Sequence, residues 1–111
     1  MKWRMNARKE LEVLLSQPGL QTPLAAVVVF RDRKRAVSVV ARLHKGSTPE
    51  ELKEFLKQLD FDYDAGHGTQ YLFGTVWFGQ GVWAERVEYD GAENWYVRRM
   101  PDIPEYLIKE D

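Results

Sequence analysis

The stretch YLFGTVWFGQGVWAERVEY, residues 71–89, decides the fold. Two runs rich in aromatic and β-branched residues flank Gly79-Gln80-Gly81, and a three-residue glycine loop between such runs reads as a β-hairpin. Pairing Phe78 with Val82 sets Trp77 opposite Trp83, Thr75 opposite Glu85, Phe73 opposite Val87 and Tyr71 opposite Tyr89. One face then carries an aromatic stripe broken by Thr75 and Glu85, and the other carries Val76, Ala84, Arg86 and Glu88. Aromatic side chains bring the most apolar area, so the stripe is expected to form the core. Arg86 and Glu88 are then expected to face outward.

Asp90-Gly91 makes the next turn, and residues 93–99 return as a third strand, completing a meander. A three-residue loop would put Trp95 on the aromatic face. A four-residue loop would put Tyr96 there and Arg98 opposite Glu85. Beyond it, Pro101-Asp102-Ile103-Pro104-Glu105-Tyr106-Leu107 is too proline-rich for a strand and is expected to lie extended over the domain.

Working toward the N-terminus, Asp60–Thr69 (DFDYDAGHGT) reads as a loop. Residues 47–59 form a helix: Thr48 is an N-cap, Pro49 suits the first position, and Glu51 closes a capping box. Leu52, Phe55, Leu56 and Leu59 make its buried stripe. Residues 24–30 (LAAVVVF) and 36–43 (AVSVVARL) flank the basic tip Arg31-Asp32-Arg33-Lys34-Arg35, and their apolar content predicts a hairpin covered on both faces. Residues 5–16 form a first helix with Leu11, Leu14 and Leu15 inward, ended by Pro18-Gly19. The order is α-β-β-α-β-β-β, a single α+β domain over residues 1–111 whose antiparallel sheet and C-terminal meander pack on the helices.

Composition bounds the function. A chain of 111 residues supports one core without staples. The absence of cysteine rules out a disulfide framework, a thiolate zinc site and a cysteine nucleophile. No apolar run approaches the ~20 residues of a membrane span, and residues 1–6 lack a signal-peptide core, so a cytoplasmic protein without membrane partners is expected. Net charge is −1, yet residues 1–45 hold ten Lys/Arg against three acidic residues, while residues 46–111 hold six against fourteen. Such polarity suits a charged partner, or two halves that neutralise each other on folding.

Asp60, Asp62 and Asp64 alternate as calcium-loop ligands do, but Ala65 and Tyr71 stand where glycine and glutamate are needed. Phe61 and Tyr63 instead suggest a chain anchored by its aromatics with the carboxylates in water, and no metal or cofactor is expected. His67 beside these acids is the one conceivable acid–base centre, the basis of a small-hydrolase reading. No nucleophile elbow or phosphate-binding glycine motif accompanies it, so a non-enzymatic protein is favoured. Arg31, Arg33, Lys34 and Arg35 at the hairpin tip, with the first helix, would serve a nucleic-acid binder. Asp60, Asp62, Asp64, His67, Arg86, Glu88, Asp90 and Glu93 are the candidate protein-binding residues.

The pattern DFDYD (60–64), LFGTVWF (72–78), VWAERVEYDGAENW (82–95) and PDIP (101–104) resembles small accessory proteins encoded by tailed phages and prophages. In those relatives the hairpin loop usually reads Asp-Gly-Thr before the tryptophan, where this chain has Gly79-Gln80-Gly81-Val82. The likeness spans residues 60–104, and no established activity attaches to it. It implies a phage accessory protein that binds a host protein, such as a host defence complex, and inhibits or redirects it. Short edge strands and an aromatic face would also permit a homodimer by sheet extension.

Overall fold

The computed structural model describes residues 3–32, 34, 36–65 and 70–109. Strand β1 (Trp3–Asn6) leads into helix α1 (Ala7–Leu15), followed by β2 (Ala25–Arg31), β3 (Val37–Leu43) and α2 (Pro49–Gln58). Then come β4 (Asp62–Ala65), β5 (Leu72–Trp77), β6 (Val82–Tyr89), β7 (Ala92–Arg99) and a single 3-10 turn at Glu105–Leu107. The α+β class and the C-terminal meander are as expected: β3-β2-β5-β6-β7 form one antiparallel sheet. Among the described residues no helix is long and apolar enough to cross a membrane.

Both helices follow local chemistry. Thr48 accepts from the Glu51 amide while Glu51 accepts from the Thr48 amide, the reciprocal capping box. Phe55 and Leu59 are buried, with Leu52 and Leu56 packed beside them, and α2 lies over β3. In α1 the buried residues are Ala7, Leu11 and Leu14, and the helix packs against β7 and α2.

Two short strands were not expected from the sequence. Asn6 is extended and its side chain caps the Lys9 amide, so the helix starts at Ala7 rather than residue 5. The four residues before it pair antiparallel with β4, which occupies part of the segment read as a loop: Arg4 opposite Asp64, Met5 opposite Tyr63, Asn6 opposite Asp62.

The register at Gly79-Gln80-Gly81 holds. Thr75, Val76 and Trp77 pair with Glu85, Ala84 and Trp83, and the Phe78 amide donates to the Val82 carbonyl at 2.9 Å. The pairing stops there, so Phe73 and Tyr71 are not laddered to Val87 and Tyr89. Asp90 and Gly91 both have positive φ (52° and 84°), the two-residue turn that matches strand twist. With Tyr89 opposite Ala92, Tyr96 lies opposite Glu85 and Arg98 opposite Trp83, a shorter loop than either expected.

The inside and outside of the sheet are reversed from the sequence expectation. The buried positions of the sheet are Ala26, Val28, Ala41, Leu43, Leu72, Val76, Ala84, Arg86 and Glu93, whereas Trp77 is 45% and Tyr89 73% exposed. The helices, with β1 and β4, sit on the side carrying small and charged residues. The β2–β3 hairpin is likewise covered on one face alone: β3 is a sheet edge, and Val37 and Val39 are exposed. Nor does the tail cover the domain. Residues 99–109 are all exposed, including Ile103, Tyr106, Leu107 and Ile108.

Candidate functional site

The reversal needs a physical cause, and Arg86 supplies it. Its guanidinium donates to Glu10 Oε2 (3.1 Å), to the Tyr63 hydroxyl (2.7 Å) and to Glu93 Oε1 (3.3 Å). The Tyr63 hydroxyl in turn donates to Glu10. Glu93 completes the arrangement by accepting from the Tyr71 and Leu72 amides at 2.9 and 3.0 Å, at the end of β5 where the ladder to β6 has ended. Side-chain exposure is 0% for Arg86, 1% for Glu93 and 10% for Glu10, so three charges from α1, β6 and β7 share one interior site. A cation flanked by two carboxylates with further hydrogen bonds can be buried where an isolated charge cannot. Burial, chiefly, raises the Tyr63 phenol well above the ordinary tyrosine range, with the Glu10 hydrogen bond adding to it and Arg86 opposing it.

Trp95 roofs this network, with the Arg86 guanidinium 5.4 Å from its ring centre. The indole extends over β5 at Gly74, where an added Cβ would stand 3.2 Å from the ring and 2.6 Å from the Val27 carbonyl oxygen. A second cluster joins β4 to the sheet: Phe30 meets Phe61, Tyr63 and Tyr71 with ring centres 5.9–6.5 Å apart. Tyr71 thus packs toward the core rather than continuing the stripe.

The sequence candidates divide accordingly. Arg86 and Glu93, expected at the surface, are interior and hold β6 and β7 to α1 and β4. Glu88 accepts from the Gly91 amide at 2.8 Å and stabilises the turn, where Asp90 is exposed. Asp60, Asp62 and Asp64 are answered by β1: Asn6 donates to Asp60 and Asp62 at 3.1 and 2.9 Å, and Arg4 lies 3.5 Å from Asp64. Phe61 and Tyr63 pack into the core beneath that segment, as expected, but only Asp60 and Asp62 are exposed to water: the Asp64 side chain is 18% exposed. Among the described residues no group of three or more histidine, cysteine, aspartate or glutamate side chains could hold a metal ion. His67, Arg33 and Arg35 lie outside the described residues. At the basic tip, Asp32 accepts from the Lys34 and Ala36 amides, and Arg31 donates to the Gln70 carbonyl while stacking 5.0 Å from the Phe73 ring centre.

What remains is the face of the sheet turned away from the helices. The register assigns Val27, Val29 and Arg31 of β2 to it, with Val37, Val39 and Arg42 of β3. Phe73, Thr75 and Trp77 come from β5, Trp83, Glu85, Val87 and Tyr89 from β6, and Tyr96 and Arg98 from β7. Tyr96, Trp77, Val39, Val37 and Tyr89 are 36–73% exposed. Five large apolar side chains exposed on one sheet face, with the partly exposed Phe73, Trp83 and Val87 between them, mark a candidate interaction site. Its charged residues are three arginines and one glutamate: Arg98 bonds Glu85 at 3.0 Å and stacks on Tyr96 at 5.9 Å. Comparison with protein-family models, curated proteins and solved structures gave no match.

The aromatic stripe had been recognised as a unit, but as core. The signal for the true inside was present in Leu72, Gly74, Val76 and Ala84, an apolar row whose glycine admits the Trp95 ring.

Proposed function

We propose that the chain is a non-enzymatic binding protein that captures another protein on the open face of its five-stranded sheet. The observation that carries this reading is the exposure of Trp77, Tyr89, Tyr96, Val37 and Val39 on one uncovered face. Tryptophan, tyrosine and arginine are the residue types that dominate binding hot spots, and this face combines them. Its valines favour a protein partner, because an aliphatic floor gains most by excluding water against another apolar surface. The resemblance over residues 60–104 makes a host protein, bound and inhibited or redirected by a phage product, the partner class to search first. Capture from a bacterial lysate by the wild type and by Trp77→Asp/Tyr96→Asp tests this. A protein retained by the wild type and lost by the folded variant supports the reading, and equal retention by both overturns it.

A second reading rests on the same face. Arg31 stacked on Phe73 and Arg98 stacked on Tyr96 resemble the parts of a single-strand nucleic-acid platform, with aromatics for bases and guanidiniums for phosphates. A mobility-shift titration with a single-stranded oligonucleotide separates the two. Steeply salt-dependent binding lost in Arg31→Ala/Arg98→Ala supports it, and no shift at low salt removes it.

A further inference from the structure

The open face and the C-terminal segment of the same chain are complementary, and the geometry points to one copy's segment 101–109 lying across the sheet face of a second copy. This deepens the reading of that face as a protein-binding surface and names one occupant for it.

Three observations carry the proposal. The first is the segment itself. After β7 the Met100 amide donates to the Gly81 carbonyl at 2.8 Å, and residues 101–109 beyond it are all exposed. Ile103, Tyr106, Leu107 and Ile108 are 57–83% exposed, four large apolar side chains in six residues with no place in their own core. A radius of gyration of 16.2 Å against about 13 Å for a compact chain of this size is in keeping with a projecting segment.

The second is charge. Residues 101–111 carry four acidic residues and one lysine. The open face carries Arg31, Arg42 and Arg98 against Glu85 alone, and Glu85 is already bonded to Arg98. An acidic, apolar segment therefore meets an arginine-rimmed apolar face, an arrangement that steers encounter and fixes orientation.

The third is shape. Pro101 and Pro104 cannot donate to a ladder, so the segment does not add to an edge as a strand. They also hold Met100 and Ile103 extended. Residues 101–109 include the 3-10 turn Glu105–Leu107; six extended residues at ~3.3 Å each and three at ~2 Å reach roughly 26 Å, and five strands are roughly 19 Å across. One segment is thus long enough to cross the face, and a two-fold exchange covers both faces with identical contacts.

The test uses the full chain and two folded variants, each checked by circular dichroism: a segment variant, Ile103→Asp/Leu107→Asp, and a face variant, Trp77→Lys/Tyr96→Lys. Light scattering of the wild type is expected to give twice the 13.0 kDa chain mass, and each variant alone the single-chain mass. Mixing the two variants is expected to restore a one-sided pair, since one retains an intact face and the other an intact segment. A wild type that stays at single-chain mass to its solubility limit overturns the inference. A dimer that persists in the segment variant also overturns it, because the faces would then be pairing directly. Lysate capture by the same variants keeps the outcomes separable. If the wild type is monomeric yet the face variant alone loses a partner, the binding-face reading stands and the segment does not occupy it. If the dimer forms and capture ignores the face, the reverse holds.

Discussion

Replacing Arg86 by methionine removes the cation from the interior network while keeping much of its volume. Three hydrogen bonds are lost, and Glu93 and Glu10, 1% and 10% exposed, are left beside each other without their counterion. Breaking a buried pair by removing one partner costs about 3–5 kcal/mol, most of it the uncompensated charge left behind. Set against the ~5–15 kcal/mol typical of a domain, this is a large share of the total. In urea, with a slope of about 2 kcal/mol per molar, the unfolding midpoint should fall by roughly 2 M. Arg98→Met is the matched control. Its bond to Glu85 is 3.0 Å, no longer than those of Arg86, but the partners are 47% and 40% exposed, so the loss should stay below about 1 kcal/mol. Adding Glu10→Gln to Arg86→Met should recover part of the stability, since it neutralises one stranded carboxylate. An Arg86→Met midpoint within about 0.5 M of wild type, or equal to that of Arg98→Met, would refute the claim that this network holds the sheet to α1 and β4.

Gly74→Ala should destabilise by about 1–3 kcal/mol, because its Cβ would meet the Val27 carbonyl oxygen at 2.6 Å and backbone cannot yield as a side chain can; a thermal melt unchanged from wild type would contradict this. The raised Tyr63 phenol predicts alkaline sensitivity. Below about pH 10, the ordinary tyrosine value, folded and unfolded states both hold the proton and the contribution is fully present. Above it the unfolded chain ionises first, so stability falls with rising pH. Tyr63→Phe should show a shallower decline between pH 10 and 11 in urea midpoints, and an identical slope would count against the buried phenol. Leu72→Ala should cost about 2–5 kcal/mol, whereas Trp77→Thr, although it deletes a larger side chain, should cost less than half as much. The opposite ranking would return the aromatic stripe to the core.

How far the fold was legible depended on which pattern each element expresses. The helix from Pro49 to Gln58 declares itself through Thr48, Pro49 and Glu51, because capping is local chemistry. The β5–β6 register was readable for the same reason: loop length fixes it, and Trp77 does face Trp83. Which face lies inward is not local. Period-two alternation sorts residues into two sets but is silent on which set is covered when both contain apolar residues. Counting aromatics chose wrongly because Arg86 and Glu93 become good interior residues only once Glu10 and Tyr63 arrive from α1 and β4. The strands Trp3–Asn6 and Asp62–Ala65 were missed because four alternating residues are too few to tell a strand from a loop, and their pairing joins segments about half the chain apart. The candidate site moved for one reason. Binding residues were sought opposite the aromatics, and the uncovered face is the aromatic one.

Site-specific photo-crosslinking tests the central claim most directly. A benzophenone side chain placed at Trp77 or at Tyr96 reports on the open face, and one placed at Lys53 reports on the exposed side of α2, behind the sheet. The account predicts covalent adducts with a second protein, host partner or second copy, from positions 77 and 96 and none from position 53. Adducts from position 53 alone, or from all three alike, would contradict it.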